Sequence, residues 1–253
     1  MKKILVVSDL QVPYHNQRAV DALCNFIADF KPDMLLNVGD DTDSPEPSRW
    51  NKGMVGEYAG TLQKGLDLTS KVHGQFRAAI GPDIPYHVSR SNHGDRVETY
   101  VAKYAPALQD LRALKIEELL EYAKHGITYH RRPFEFAPRW LLMHGDEGGG
   151  SQTAGGTALS LARATGMSVV TGHTHKLGTQ HANMGFNGKL SARFGVEVGH
   201  LMDVSKASYL KFGGANWQSG FGIFYVDGVD VSHYLVPVRQ DGSFIAGGNR
   251  YKP

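Results

Sequence analysis

Five short polar clusters, each placed just after an apolar run, constrain this chain more than any other feature of its sequence. They are rich in Asp, His and Asn: Asp9-Leu10-Gln11, Gly39-Asp40-Asp41-Thr42-Asp43, Ser91-Asn92-His93, His144-Gly145-Asp146 and Gly172-His173-Thr174-His175. Because parallel strands end at the same edge of a sheet, strands that finish in such residues would gather oxygen and imidazole groups along that edge. The pattern favours a metal site assembled from distant parts of the chain.

The apolar runs alternate with amphipathic segments through the first two thirds of the chain. Residues 4–8 and 34–38 are aliphatic runs typical of buried strands, and 18–30 has helical spacing of apolar residues that ends before Pro32. This β-α-β opening predicts a parallel sheet. Further strands are expected at 86–89, 140–143 and 168–171, and helical segments at 58–80, 98–124 (with a break at Pro106) and 157–165.

Strand-like patterns dominate from about residue 194 onward, with strands expected at 221–226 and 231–238 on either side of the Asp227-Gly228 turn. Alternating units first and antiparallel strands last predict an α/β fold, a two-sheet β-sandwich of mixed strands flanked by helices. A single domain spanning 1–253 is expected, because a chain of 253 residues can still enclose one core. Residues 247–253 are expected to form a mobile tail.

Composition narrows the class of protein and its partners. With 41% hydrophobic and 21% charged residues the chain is typical of globular proteins. A formal net charge of +2 is too small for a surface that coats nucleic acid, although it is compatible with a local basic patch. The single Cys24 excludes an intrachain disulfide. No apolar stretch approaches the roughly 18 residues of a membrane span, so we expect no membrane partner and a cytoplasmic location.

The residue types in the five clusters suit divalent metal ions. Carboxylates bind hard ions, whereas Mn²⁺, Fe²⁺ and Zn²⁺ also accept imidazole, and two ions about 3.5–4 Å apart can clamp a phosphoryl group. Each cluster alone has a plain alternative as a turn, a strand end or a polar loop. His173 and His175 are more specific, because residues at i and i+2 after a strand face the same side. All five clusters in order favour a metal site.

The ordered clusters resemble the motifs of the calcineurin-like metallophosphoesterases, over about residues 4–240. That family carries Asp-x-His, Gly-Asp-x-x-Asp, Gly-Asn-His-Asp/Glu, a later His, and Gly-His-x-His. The resemblance implies a two-sheet sandwich with helices outside and two divalent ions that share one aspartate. It implies that one ion is held by Asp9, Asp40 and His175, and the other by Asp40, Asn92, His144 and His173.

The resemblance also implies a reaction. A hydroxide between the two ions would attack phosphorus, and His93, oriented by Asp43, would donate a proton to the leaving group. The expected activity is hydrolysis of phosphodiester bonds in cyclic nucleotides or nucleic acid, with phosphomonoesters or phosphoproteins as the alternative substrates. A catalytically silent metal-binding scaffold and a nucleic-acid-binding protein with a structural metal are the other interpretations. The sequence leaves the oligomeric state open.

Gln11 is the main departure from the family, which usually has His at that position. A Gln amide oxygen could still bind a hard ion, so Gln11 is included among the ligands and Mn²⁺ is favoured, with Mg²⁺, Fe²⁺, Zn²⁺ and Ni²⁺ as options. His15, four residues on, could complete the site instead, or could be an ordinary loop residue. The Asp-x-Gln form is similar to phosphoesterases of phage-type genomes.

Five residues beside the clusters are candidates for substrate contacts. Arg90, Arg96 and Lys176 adjoin motif residues and could bind substrate phosphate, although each could equally be a solvated surface charge. Trp50 and Trp217 could each stack on a nucleobase, but packing under a loop is the commoner fate of a tryptophan.

Overall fold

The computed structural model describes residues 1–206 and 215–253. Within them the strands are β1 Lys2–Val7, β2 Met34–Asn37, β3 Tyr86–Ser89, β4 Ile127–His130, β5 Phe134–Ala137, β6 Trp140–Leu142, β7 Ser168–Thr171, β8 Leu177–Phe186, β9 Lys189–Val198, β10 Gly220–Asp227, β11 Asp230–Pro237, β12 Phe244–Ala246 and β13 Asn249–Tyr251. The helices are α1 Gln17–Phe30, α2 Leu62–Ile80, α3 Arg96–Tyr104, α4 Ile116–Leu119 and α5 Gly156–Thr165. Short 3₁₀ helices cover Val55–Tyr58, Pro106–Leu108, Arg112–Leu114, Tyr122–His125 and Val204–Lys206.

The strands of the described residues form two large sheets and a two-stranded ribbon of β12 and β13. The first sheet has the order β11-β10-β1-β2-β3-β4, in which β1 to β4 run parallel and β10 is antiparallel to β1. The second has the order β5-β6-β7-β9-β8, in which β6, β7 and β9 run parallel. Both sheets therefore contain parallel strands, with antiparallel pairs at one edge of the first sheet (β10 and β11) and at both edges of the second (β5 and β8).

Successive residues of β1 show how the layers are stacked. Ile4 and Val6 belong to the core between the two sheets, whereas Leu5 and Val7 belong to the core beneath α1 and α2. A strand with both faces buried must be apolar throughout, which is why β1 appears in the sequence as a continuous aliphatic run. On the far side, α5 packs on the second sheet through contacts such as Leu159. The layers run helix, sheet, sheet, helix, which confirms the predicted α/β two-sheet sandwich.

Residues 98–124, expected to be largely helical, differ most from expectation. α3 ends at Tyr104, shortly before Pro106, and is followed by 3₁₀ turns and the four-residue α4. Leu108 and Leu111 stay 46% and 51% exposed, so the segment lacks a continuous buried face to stabilise a longer helix. The short strands β4 and β5 beyond it are also absent from the sequence-based assignment.

β8 and β9, of ten residues each, form an antiparallel hairpin. The sequence pattern predicted strands only from about residue 194. Its turn is Asn187-Gly188, with φ of 52° and 73°. Positive φ at both central residues defines the type I′ turn that the Asn-Gly pair favours, so the sequence contains the signal that predicts this turn. The strand before it is mostly half-buried or exposed, which weakens its apolar alternation.

Part of the expected tail, residues 247–253, has a defined place in the fold. β13 pairs with β12, and Tyr251 packs edge-on against Phe26 and stacks on Phe244. The mobility of this segment stays a prediction, as does the single-domain organisation. Within residues 1–206 and 215–253, no helix combines the length and the apolar character needed to cross a membrane.

Candidate metal centre

The five polar clusters follow β1, β2, β3, β6 and β7, whose carboxyl ends lie at one edge of the sandwich. In the turns after β1, β2 and β7 the backbone is left-handed at non-glycine residues, with φ of 49° at Asp9, 51° at Asp40, 62° at His173 and 58° at His175. This conformation is uncommon for side-chain-bearing residues and is retained where the surrounding structure holds it. Hydrogen bonds between the first two loops, Asp9 N to Gly39 O (3.0 Å) and Gln11 N to Asp40 O (2.8 Å), do so here.

At two motif positions, neighbouring loops approach so closely that only glycine fits. A Cβ at Gly172 would lie 1.8 Å from Ser8 Oγ and 2.3 Å from Asp9 Oδ2, so any side chain there would displace the first cluster. At Gly39, where φ is 108°, a Cβ would lie 2.6 Å from Ser91 Cβ. The glycines therefore allow loops from different strands to touch at the site.

One half of the site contains Asp9, Gln11 and His175, all of them buried. His175 Nε2 lies 3.1 Å from Asp9 Oδ1 and 2.9 Å from Gln11 Nε2. Asp9 Oδ2 accepts hydrogen bonds from Ser8 Oγ and from His173 N (2.9 Å). Gln11 Oε1, by contrast, is buried without a hydrogen-bond partner among the described residues. Such atoms are costly unless something else binds them, and a cation would.

The other half contains Asp40, Asn92, His144 and His173. His144 Nδ1 lies 3.1 Å from the carbonyl oxygen of Val38, and because a carbonyl only accepts, the ring proton is on Nδ1. The lone pair of Nε2 then points toward Asn92 Oδ1 at 2.9 Å and Asp40 Oδ2 at 3.3 Å. Ligand atoms of Asp40, His144 and His173 all lie within 4.8 Å of one another. Several acceptors converging on one point describe a site for a positive charge.

The pKa values of His144, Asp40 and Asp9 are also shifted as expected for a site that attracts positive charge. Burial disfavours a charged imidazole, but the adjacent Asp40 carboxylate outweighs burial and raises the pKa of His144 to about 9. Burial would raise the pKa of Asp40, but His144 and His93 hold it well below its usual range. Asp9 is buried in the same way, and His175 lowers its pKa. Without a metal, a proton on His144 therefore supplies the positive charge that this site attracts.

His93 and Asp43, the predicted proton donor and its partner, are brought together beside the ligands. His93 Nδ1 lies 2.9 Å from Asp43 Oδ1, and His93 N donates to Asp40 Oδ1 at 3.1 Å. Arg96 joins them: its Nη2 donates to His93 Nε2 at 2.9 Å, and its Nη1 donates to the carbonyl oxygen of Asp43. Because a guanidinium only donates, Nε2 accepts here and the neutral ring carries its proton on Nδ1.

The remaining candidates are placed differently. Arg90 is held by two carboxylates, at 2.6 Å from Asp95 Oδ2 and 2.6 Å from Asp146 Oδ1, and Lys176 Nζ donates to Ser151 O at 2.5 Å. A phosphate would have to compete with these partners, and the substrate contacts of both residues stay predictions. His15 hydrogen-bonds Gln17 at 2.9 Å, so the residue that the structure brings to His175 is Gln11.

Sequence reasoning missed a buried network behind the site. Asp41 Oδ2 accepts hydrogen bonds from His73 Nε2 at 2.8 Å and from Tyr122 Oη at 2.7 Å. This carboxylate ties the loop after β2 to α2. The position of Asp41 beside Asp40 was a signal for it, whereas His73 sits on an amphipathic helix with nothing in its neighbours to single it out.

The site opens into a cleft of about 650 Å³. It exposes ligand candidates on its floor, and aromatic and basic side chains on its walls, among them Tyr14, Trp50, Arg96, Lys206 and Trp217. His175 packs against Trp217, with ring centroids 4.3 Å apart.

Comparison with solved structures identifies the class of fold. The chain aligns with Vps29 of Chaetomium thermophilum at a TM-score of 0.52 and 13% identity, covering 100% of this chain and 99% of that one. It aligns with Entamoeba histolytica Vps29, solved in complex with Zn²⁺, at a TM-score of 0.51 and 14% identity, covering 99% and 98%. The fold is that of Vps29 and the calcineurin-like metallophosphoesterases, as the motifs predicted.

Sequence comparison gives closer relatives. The chain is 37% identical over 252 residues to the gene 54 protein of Mycobacterium phage D29, covering 98% of both. It is 34% identical over 242 residues to the gene 54 protein of Mycobacterium phage L5, covering 94% of both. It therefore belongs to the family of these phage gene 54 proteins. No family model matches the chain. The assignment of the Asp-x-Gln motif to a phage-type phosphoesterase variant stays a prediction.

The stability of the metal-free protein should fall as the pH rises from about 6.5 to about 9. The folded-state pKa of His144 is raised from 6.5 to about 9, so its contribution is complete below pH 6.5 and is lost as the pH passes through 9. The loss due to His144 is about 3 kcal/mol of unfolding free energy. Urea unfolding in EDTA measures it, with His144→Gln as the non-titrating control. Equal pH dependence in both proteins would contradict the assignment.

Proposed function

We propose that the chain is a metal-dependent phosphodiesterase with a dinuclear centre. The observation that carries the proposal is the convergence of carboxylate, amide and imidazole acceptors from five separate loops on one buried edge. The unpaired Gln11 Oε1, the Asp9 carboxylate and the Nε2 lone pair of His144 fit metal ligation, because each is an acceptor on a side chain that the surrounding structure holds in place.

The proposal has two groups of ligands, with Asp40 shared between them. The first ion would be held by Asp9, Gln11, Asp40 and His175, and the second by Asp40, Asn92, His144 and His173. When bound, the two ions would neutralise charge on the phosphoryl oxygens and lower the pKa of a water molecule to supply the nucleophile. Mixed oxygen and nitrogen donors suit Mn²⁺ best; Mg²⁺, Fe²⁺, Ni²⁺, or the Zn²⁺ found with the Entamoeba Vps29, are the other options.

His93 would act as the proton donor to the leaving group. Its role requires a proton on Nε2, and the Asp43 carboxylate 2.9 Å from Nδ1 would hold the ring in position. Once Nε2 carries a proton it can no longer accept from Arg96, because both groups are then donors. Protonation of His93 would therefore release the Arg96 guanidinium, which lines the same cleft, to bind a substrate phosphate.

Phosphodiesters are favoured over phosphomonoesters because a cleft of about 650 Å³ offers more space than a phosphate with one small substituent needs. A phosphate with two substituents needs such space, whereas a monoester does not. Phosphomonoesterase or protein phosphatase activity, and a silent metal-binding scaffold, are the alternatives that substrate tests separate.

Protein supplied with Mn²⁺ should hydrolyse bis-p-nitrophenyl phosphate faster than p-nitrophenyl phosphate, because its cleft accepts a second substituent. Release of p-nitrophenol, followed by absorbance with and without EDTA, measures both rates. Faster monoester turnover would indicate a phosphomonoesterase. Turnover of neither substrate, with metal demonstrably bound, would indicate the scaffold.

His93→Ala should retain metal and lose about 10²–10⁴-fold in kcat, the usual contribution of general acid catalysis. Asp40→Asn should instead weaken both ions, because it removes a charge from the proposed bridge. Isothermal titration with Mn²⁺ and steady-state kinetics separate the two effects, with the exposed His181→Ala as the matched histidine control. Loss of metal with full activity on reconstitution in His93→Ala would reverse the assigned role.

Gln11→His should tighten the ion bound by Asp9 and His175 and shift its preference toward Zn²⁺, because imidazole is a softer ligand than an amide oxygen. In the wild type this ion should be the weaker of the two. Titration of Mn²⁺ and Zn²⁺ into metal-free wild type and variant tests this, with His15→Gln as control because His15 bonds Gln17 instead. Two equally tight sites in the wild type, unchanged by Gln11→His, would contradict it.

A further inference from the structure

A second cleft of about 470 Å³ adjoins the proposed metal centre. It lies between the loop after β2 and α3, and we call it the side groove. Ser48, Trp50 and Arg96 line both the side groove and the metal cleft, so the two spaces are adjacent. Asn92, a proposed metal ligand, also lines the side groove. A substrate bound at the metals could therefore extend into the side groove.

The side groove is lined by cations, and none of the described residues that line it is acidic. Arg49, Lys52, Arg96 and Lys103 contribute to its walls. Arg49, Lys52 and Lys103 form no ion pair among the described residues, whereas the nearby Glu57 is engaged by the Tyr100 hydroxyl at 3.0 Å. In a chain of net charge +2 this is a local concentration of positive charge. A polyanion is the ligand that such a surface attracts.

Aromatic rings lie next to these cations in the side groove. Trp50 is 71% exposed, and the Arg49 guanidinium lies 4.7 Å from its ring centroid. Lys52 Nζ lies 3.0 Å from the ring centroid of Tyr104, which also contacts Tyr100 at 4.8 Å between centroids. Aromatic rings next to cations that have no carboxylate partner among the described residues are the combination that binds unstacked bases together with their phosphates.

We propose that the side groove binds nucleotides flanking the scissile phosphodiester of a single-stranded nucleic acid. This inference rests on the proposed function, since it places the scissile phosphate at the metal centre. Trp50 stacks on a base, and Lys52 and Lys103 bind neighbouring backbone phosphates. A duplex fits poorly, because its bases are already stacked on one another and leave no face for Trp50.

Fluorescence anisotropy with a short fluorescein-labelled oligothymidylate, in EDTA to prevent turnover, tests the side groove. Trp50→Ala should weaken binding by about 5- to 100-fold, and Trp50→Phe, which keeps an aromatic face, by much less. Lys52→Gln and Lys103→Gln should each reduce the slope of log affinity against log salt by about 0.7. Lys189→Gln, at the opposite end of β9 from the site, should leave affinity and slope unchanged.

The outcomes separate this inference from the proposed function. Thymidine monophosphate binding as tightly as the strand, tighter binding of the same oligonucleotide as a duplex, or an unaffected Trp50→Ala variant would each overturn it. Hydrolysis of bis-p-nitrophenyl phosphate by wild type that binds no oligonucleotide would overturn the side groove and leave the phosphodiesterase standing. Oligonucleotide binding that depends on Trp50, without turnover of either nitrophenyl ester, would overturn the phosphodiesterase and leave the side groove standing as a binding site.

Discussion

Two carboxylates, Asp9 and Asp40, lie at the junction of two sheets with at most 1% of their surface exposed. Ionised carboxylates in such a place are stable only when donors and positive charges surround them. Backbone N–H groups of His173 and His93 donate to them, and histidine rings lie within 3.3 Å. The left-handed turns, the close approach at Gly172 and the orientation of His144 all contribute to meeting this requirement. The loops are thereby organised around a centre that attracts positive charge.

Arg96 connects that centre to its surroundings. It contacts His93 and Asp43 on one side and lines the side groove on the other. In the proposed function, this one guanidinium would link proton donation by His93 to the binding of a substrate phosphate. The lysines and aromatic rings of the side groove would extend the site toward longer substrates. In this account, the metals would provide the chemistry and the loop after β2 the substrate preference.

Much of this architecture could be predicted because buried parallel strands are short aliphatic runs followed at once by their functional residues. β3 and β7 match the expected bounds, and β1 and β2 nearly so. The prediction that 98–124 is largely helical was wrong, because helical spacing alone does not show whether a face of the helix becomes buried. Long-range pairings were also beyond reach: nothing local shows that Arg90 meets Asp146, that Arg96 meets His93, or that His73 meets Asp41.

Anomalous diffraction from crystals grown with Mn²⁺ would locate the metal ions of the dinuclear centre proposed at the sheet edge. The account predicts two anomalous peaks about 3.5–4 Å apart, with Asp40 between them. One should lie beside Asp9, Gln11 and His175, and the other beside Asn92, His144 and His173. Peaks located elsewhere, or no peak at this edge in protein that binds Mn²⁺ in solution, would contradict it.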